Sequence, residues 1–191
     1  MKLKLLAVGI TATIFASQSG AVVLVYEGIL SGLNESPANA SPGTGIARAT
    51  LNTVANTMRI EASFSGLTGN VTAAHIHVRP DSSTPNGGVA TQLPTFSGFP
   101  AGVTAGTYDS TFNMLLSTSW NASYITANGG TPTSAWNAFQ AKMAAGLTYL
   151  NVHSTTFGSG ELRANLALVP EPATLSILSL GIIAALRKRQ K

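Results

Sequence analysis

Apolar and polar residues alternate along much of the chain, which is the pattern of half-buried β-strands. The clearest case is the segment 58–64. Its apolar positions are Met58, Ile60, Ala62 and Phe64, and its polar positions are Arg59, Glu61 and Ser63. Because successive side chains of a strand point to opposite faces, we expect the apolar set to face a core and the polar set to face solvent. Similar patterns predict further strands at 22–30, 46–51, 71–78, 89–93, 107–114, 147–153 and 161–168.

Glycine-rich turns separate the predicted strands. The turn 65–70 leads directly from one strand into the next, which predicts that the strands 58–64 and 71–78 form an antiparallel pair. A proline- and glycine-rich loop spans 79–106. The chain is predicted to be all-β, a Greek-key-like antiparallel β-sandwich or barrel with one short helix inserted before the last strands.

That one helix is predicted to begin at Ser134, a suitable N-cap, and to end at Gly146. Trp136, Phe139 and Met143 share one face of it, and this stripe is typical of core packing.

The two ends of the chain differ in composition from its middle. Residues 1–21 have a lysine-bearing start, an apolar run and small residues before Val22, which is typical of a secretory signal peptide. We therefore expect export through the Sec translocon and cleavage by signal peptidase. The predicted organisation is a signal peptide at 1–21, a β domain at 22–168 and a separate tail at 169–191.

The tail combines a short motif, an apolar segment and a basic end. Pro170, Glu171 and Pro172 form the motif, residues 173–186 are apolar, and the last residues are basic. As a helix the apolar segment is about 21 Å long, which is marginal for a membrane span. Basic residues favour the cytoplasmic side. The tail therefore predicts a precursor held transiently at the inner membrane by a C-terminal helix.

Charge and cysteine content exclude several classes of function. The formal net charge is +4, but six of the 11 basic residues lie at the two ends of the chain, and the middle is close to neutral. Without a basic face there is no surface for a phosphate backbone, so we expect no nucleic-acid binding. The chain has no cysteine, which excludes disulfide scaffolds and thiolate metal sites.

The three histidines of the chain are the main candidates for chemistry. His75 and His77 lie two residues apart in one predicted strand, so they share a face and are separated by about 6.6 Å along it. A glycine-rich turn at 158–160 allows the strand that carries His153 to fold back as part of a hairpin. We expect this strand to lie beside the first, so that the three rings form one cluster.

Two interpretations of the cluster remain open. His75, His77 and His153 could ligate zinc or copper, with a position left for water or substrate. Alternatively, the histidines bond loop backbone and attach the loop 79–106 to the sheet. Glu161 and Arg163 share a face of the last strand, where they either orient a histidine or form a surface ion pair worth less than about 1 kcal/mol.

No other catalytic constellation accompanies the histidines. We find no nucleophile beside a base, no glycine-rich phosphate cradle and no paired carboxylates in the pattern. The sequence therefore does not predict an enzyme.

In its order of parts the tail resembles the PEP-CTERM sorting signal of Gram-negative bacteria. The likeness rests on Pro170-Glu171-Pro172, the apolar helix and the basic end. It implies recognition and cleavage by an exosortase, followed by release to the cell surface or extracellular matrix.

The middle of the chain resembles the CHRD domain, which is widespread in secreted bacterial proteins. Three blocks in order carry the likeness: Leu30-Ser31-Gly32 through Gly45, Gly66-Leu67 through His77, and Tyr149-Leu150-Asn151-Val152-His153 through Arg163. Ala38 and Gly158-Ser159 stand in regions where the family usually has prolines. The resemblance implies an all-β fold. No shared enzymatic activity is established for the family, so the resemblance leaves the chemistry open.

A fainter likeness connects His75-Ile76-His77 to the copper-site strand of Cu/Zn superoxide dismutase, another β-sandwich. Three histidines cannot supply a full copper-plus-zinc set, so we do not expect dismutase activity.

Two classes of function follow. The first is an exported, non-enzymatic structural or interaction module, sorted to the surface, whose extracellular partner the sequence does not identify. The second is a histidine-based metal-binding or redox protein that uses zinc or copper.

Overall fold

A computed structural model describes residues 22–170, so the predicted signal peptide and the sorting tail from Glu171 onward lie outside the described residues. The described chain is an all-β fold, as predicted. Its strands are β1 (Val23–Ser31), β2 (Thr44–Asn52), β3 (Thr57–Ser65), β4 (Val71–Val78), β5 (Gly88–Val89), β6 (Gly106–Asn113), β7 (Thr148–Ser154), β8 (Leu162–Asn165) and β9 (Ala167–Leu168). Two α-helices, α1 (Ala122–Ala127) and α2 (Pro132–Ala144), lie between β6 and β7.

The strands form one antiparallel sheet that curls into a half-barrel. Its order is β5-β4-β7-β8-β1-β2-β3-β6, and β9 pairs with the outer part of β1. The long strands β1, β2 and β3 pair in full register along nine residues each. The shorter strands β4, β7 and β8 form the other half of the sheet, which carries the histidines.

The core lies on the concave side of the sheet. The predicted inward face of β3 is confirmed, since Met58, Ile60, Ala62 and Phe64 are all buried while Arg59 is exposed. Buried side chains of β1, β2, β4, β7 and β8 join this core. α2 and the loop before β6 cover it and contribute Trp136, Phe139, Met143, Phe96 and Phe99.

The predicted pairing of β3 with β4 is wrong. β3 pairs instead with β2 and β6, and β4 pairs with β5 and β7. The segment after β3 does not turn back on it, because backbone bonds from Leu67 to Thr104 and from Val71 to Val103 attach it to the long loop. That loop therefore lies along the β4 edge that would have faced β3.

The predicted helix is present, but it begins earlier than expected. Its N-cap is Thr131, and Pro132 follows as the first helical residue. Ser134, the predicted cap, is the third helical residue, and it forms a capping box by exchanging hydrogen bonds with Thr131. Proline is well suited to this first position because its missing N–H has no helical partner there. Gly146 follows the helix at φ +66°, as an end signal should.

The short helix α1 was not predicted, and the predicted strand 89–93 is reduced to β5 and one bridge between Thr91 and Trp120. Among residues 22–170, no helix has the length and apolar character needed to cross a bilayer.

We expect Phe64→Ala to lower the free energy of unfolding by about 3 to 5 kcal/mol, the range for removing a buried aromatic ring. Phe64 is 4% exposed, and its ring stacks on Phe99 with 5.7 Å between centroids. Urea unfolding of both chains measures the difference. The control Glu61→Ala changes the solvated face of the same strand and should cost less than about 1 kcal/mol. Equal losses in the two variants would mean that the face assignment is wrong.

Candidate metal centre

The fold brings the three histidines together on the sheet face that is opposite the apolar core. β7 lies beside β4, as predicted, with Asn151 opposite His75 and His153 opposite Ala73. Facing residues of paired strands share a side of the sheet, so the three rings project in one direction. The ring centroid of His75 lies 5.5 Å from that of His77 and 4.9 Å from that of His153. The ring centroids of His77 and His153 are 5.9 Å apart.

Each histidine is oriented by a hydrogen bond to a loop carbonyl. His75 Nε2 lies 2.7 Å from the oxygen of Pro94, and His77 Nδ1 lies 2.9 Å from that of Gly87. His153 Nδ1 lies 3.0 Å from the oxygen of Gly158. Because a carbonyl oxygen can only accept, each of these nitrogens carries the hydrogen of a neutral ring. The other nitrogen of each ring then presents a lone pair, the form that ligates metals.

The remaining ring nitrogens converge in the interior. His75 Nδ1, His77 Nε2 and His153 Nε2 are buried and have no hydrogen-bond partner. One nitrogen from each ring lies within 4.8 Å of those of the other two. Since the bonded nitrogens point outward to three separate loop carbonyls, we assign the free nitrogens to this converging set. Three lone pairs facing one another without a donor are the arrangement that a metal cation satisfies.

Burial keeps the rings neutral. It lowers the pKa of His75 and of His153, although their hydrogen bonds to Pro94 and Gly158 oppose the shift. The pKa of His77 is lowered to about 4, again chiefly through burial, and the positive charge of Arg163 adds to the effect. At neutral pH all three rings therefore offer lone pairs without having to release a proton.

Tyr149 packs on the ring of His77, and Arg163 packs on the ring of Tyr149. The Tyr149 ring stacks on His77 with 4.9 Å between centroids and 4° between planes. The guanidinium of Arg163 lies 3.5 Å from the centre of the Tyr149 ring, and it donates to the carbonyl of Pro85 and the amide of Asn86. This stack holds the loop that presents the Gly87 carbonyl to His77.

The interpretation of Glu161 and Arg163 as a surface ion pair is wrong. Both are buried, and no ion pair joins them within residues 22–170. Glu161 instead accepts hydrogen bonds from the hydroxyl of Ser41 and the backbone of Thr68 and Gly69. It forms no hydrogen bond with a histidine, so its role is to join the loops that follow β1 and β3 to the start of β8.

A cavity of about 430 Å³ adjoins His77, which forms part of its wall together with Tyr149. Glu35 and Asn151 also line it, with 2.7 Å between Glu35 Oε1 and Asn151 Nδ2. Burial raises the pKa of Glu35, while Asn151 and the charge of Arg163 oppose that shift. Asn151 Oδ1 is buried without a partner. Sequence reasoning missed this lining.

A signal for half of that lining was present in the sequence. Tyr149, Asn151 and His153 alternate along β7 and therefore share a face. Glu35 follows a short 3₁₀ turn after β1, and only the tertiary fold brings it to the cavity.

A CHRD domain matches residues 26–166, which is most of the chain and all of the strands that build the centre. The chain belongs to the CHRD domain family. The match contains His75, His77 and His153, together with the loops whose carbonyls orient them. The candidate site therefore lies within the CHRD domain and not in an appended segment.

Residues 168–190 match the PEP-CTERM protein-sorting motif, which includes Pro170, Glu171 and Pro172. Apart from these two family matches, comparison with curated proteins and with solved structures finds no match. The two matches together make this an exported protein that is sorted by an exosortase.

We expect the metal-free CHRD domain to lose stability as the pH falls from 6.5 to about 4. An unfolded histidine titrates near 6.5, whereas His77 in the folded chain has a pKa of about 4. Between these values the unfolded chain binds more protons, so acid favours it, by up to about 3 kcal/mol for His77 alone. Urea unfolding at several pH values in the presence of a chelator measures how the free energy of unfolding changes with pH. His77→Gln cannot titrate and should flatten this pH dependence, and identical slopes in both chains would contradict the assignment.

Proposed function

We propose that this protein is an exported CHRD domain that holds one transition-metal ion on His75, His77 and His153 at the cell surface or in the extracellular matrix. The observation that carries the proposal is the convergence of three buried imidazole nitrogens that have no other partner. A buried polar atom without a partner costs about 1 to 3 kcal/mol. Three such atoms at one point are explained by a shared cation.

The geometry of the cluster fits an ion. A point shared by nitrogens that are within 4.8 Å of one another lies within about 2.8 Å of each, and zinc–imidazole bonds measure about 2.0 to 2.1 Å. Small movements of the rings therefore complete the bonds. The ligand set, three imidazoles and no thiolate, suits zinc or copper. The carbonyls of Pro94, Gly87 and Gly158 supply the outer hydrogen bonds that metal-binding histidines usually make.

The surroundings of the ion favour a holding role over turnover. The three free nitrogens are buried, so an ion between them has little contact with solvent. Catalytic zinc sites keep a position open to water and place a base near it. Within the described chain Glu35, the acid of the adjoining cavity, is bonded to Asn151 and not to a histidine. We therefore assign the protein a non-enzymatic role as a metal-carrying structural or interaction module.

Protein purified from its native host should contain one transition-metal ion per chain, as measured by mass spectrometry of the elements. His77→Ala and His153→Ala should each abolish binding, because two imidazoles remain. In the wild type, saturating metal should raise the free energy of unfolding by about 4 kcal/mol at a thousand times the dissociation constant. Both variants should lose this gain.

The chain has only three histidines, so purification must avoid a polyhistidine tag. The control Glu61→Gln changes an acid on the solvated face of β3 and should keep the metal. A metal-free wild type that is also not stabilised by added zinc or copper would refute the site, and the histidines would then serve only to attach the loops.

Processing is expected to leave a mature chain that begins near Val22 and ends near the motif Pro170-Glu171-Pro172. Signal peptidase would make the first cut and an exosortase the second, after the precursor has been held at the inner membrane. Intact-mass measurement of protein from the outer surface of the native host tests both ends. A surface form that still carries residues 187–191 would contradict exosortase cleavage.

A further inference from the structure

We propose that the ion held by the three histidines is copper in its cuprous state, Cu(I), and that the site discriminates against divalent ions. This inference rests on the proposed function, since it names the ion for the same site. It follows from three features of the site: the charge of the ligands, the positive charge of the nearby Arg163 and the number of ligands.

The ligands bring no negative charge to the ion. The cluster consists of three imidazoles, and within residues 22–170 no carboxylate joins it. The chain has no cysteine that could supply a thiolate. A divalent ion on this set would leave a charge of +2 in the interior, whereas Cu(I) leaves +1. Because burying uncompensated charge is costly and the cost rises steeply with the charge, the ligand set favours the monovalent ion.

A fixed positive charge strengthens this preference. Arg163 is 4% exposed and lies 3.5 Å from the centre of the Tyr149 ring, which in turn stacks on His77. The guanidinium hydrogen-bonds neutral groups, the Pro85 carbonyl and the side-chain amides of Asn86 and Asn165. Within residues 22–170 no carboxylate forms an ion pair with Arg163, although the charge of Glu35 acts on it through space. The charge of Arg163 faces the metal site across the Tyr149 and His77 rings. It repels a divalent ion about twice as strongly as a monovalent one.

The number and enclosure of the ligands point the same way. Zinc normally takes four ligands in a tetrahedron, and Cu(II) prefers four or more in a tetragonal arrangement. The cluster supplies three buried nitrogens, and within residues 22–170 no carboxylate belongs to it. The chain has no fourth histidine and no cysteine. Cu(I) is stable with three nitrogen ligands and needs no bound water. The site thus matches the coordination of the reduced ion better than that of either divalent ion.

The test is a competition in which the full chain, without a polyhistidine tag, is titrated anaerobically with Cu(I) kept reduced by ascorbate. Bicinchoninate, which forms a coloured Cu(I) complex, reports the affinity. We expect the protein to withdraw one Cu(I) per chain from the chelator. About a hundredfold excess of Zn(II) should not displace it. His153→Ala should leave all Cu(I) with the chelator.

Arg163→Gln tests the electrostatic part of the proposal. The Arg163 guanidinium lies roughly 8 Å from the site, and the effective dielectric constant there is about 20. Loss of this charge should therefore improve binding of Zn(II) relative to Cu(I) by on the order of tenfold. The matched control Arg59→Gln removes an exposed arginine that pairs with Asp109 on β6, and should leave the ratio unchanged. If Arg163→Gln fails to fold, as judged by circular dichroism, Arg163→Lys serves instead. It keeps the charge and should keep the preference for Cu(I).

The outcomes separate this inference from the proposed function. Displacement of Cu(I) by equimolar Zn(II), or a stable paramagnetic Cu(II) signal from one ion per chain, would overturn the assignment to Cu(I) and leave a metal site in place. Binding of neither Cu(I) nor Zn(II) would overturn both. Withdrawal of one Cu(I) per chain with the expected effects of His153→Ala and Arg163→Gln would support both.

Discussion

The hydrogen bond between each histidine ring and a loop carbonyl is the interaction on which the centre depends. Without it an imidazole on a strand can rotate and present either nitrogen. The carbonyls of Pro94, Gly87 and Gly158 determine both the tautomer and the direction of the free lone pair. Each carbonyl belongs to a loop, so the precision of the site depends on how firmly the loops are held.

In the half of the sheet formed by β4, β7 and β8, a second layer of polar side chains above the strands holds these loops in place. The other face of this half of the sheet packs into the apolar core through side chains such as Ile76 and Val152. On the polar face, Arg163 and Glu161 are buried and used as anchors, the first for the loop at 85–86 and the second for the loops near Ser41 and Thr68. Buried charged groups of this kind are retained when their polar atoms find hydrogen-bond partners. Arg163 and Glu161 find them in both side-chain and backbone groups.

Alternation of side chains was enough to predict the long strands, the inward face of β3 and the shared face of His75 and His77, but not the short β5. The glycine-rich turn after β7 was enough to predict the hairpin with β8 and hence the place of His153. Strand order could not be predicted from turns alone. The connection after β3 contains glycines like a hairpin, but its backbone bonds with Thr104 and Val103 carry the chain to another part of the sheet.

The burial of Glu161 and Arg163 was not predictable either. On a two-residue period they look like the solvated face of a strand, and only the loops that cover this face make it an interior. A period of two identifies the two faces of a strand, but it does not say which of them a loop will cover. Glu35 illustrates the same limit, because its position at the cavity depends on the path of the loop after β1.

The centre is the one place in the described chain where buried ring nitrogens from three residues meet without a donor. In natural folds, buried polar atoms without a hydrogen-bond partner occur mainly at functional sites, where a ligand supplies the missing contact. His77 and His153 come from strands that are far apart in the sequence, and all three rings need loops that form only in the folded chain. The site therefore does not exist in the unfolded polypeptide, and any free energy of metal binding is added to the free energy of folding. Under the proposed function, a chain that crosses the membrane unfolded acquires the ion only after folding, outside the cytoplasm.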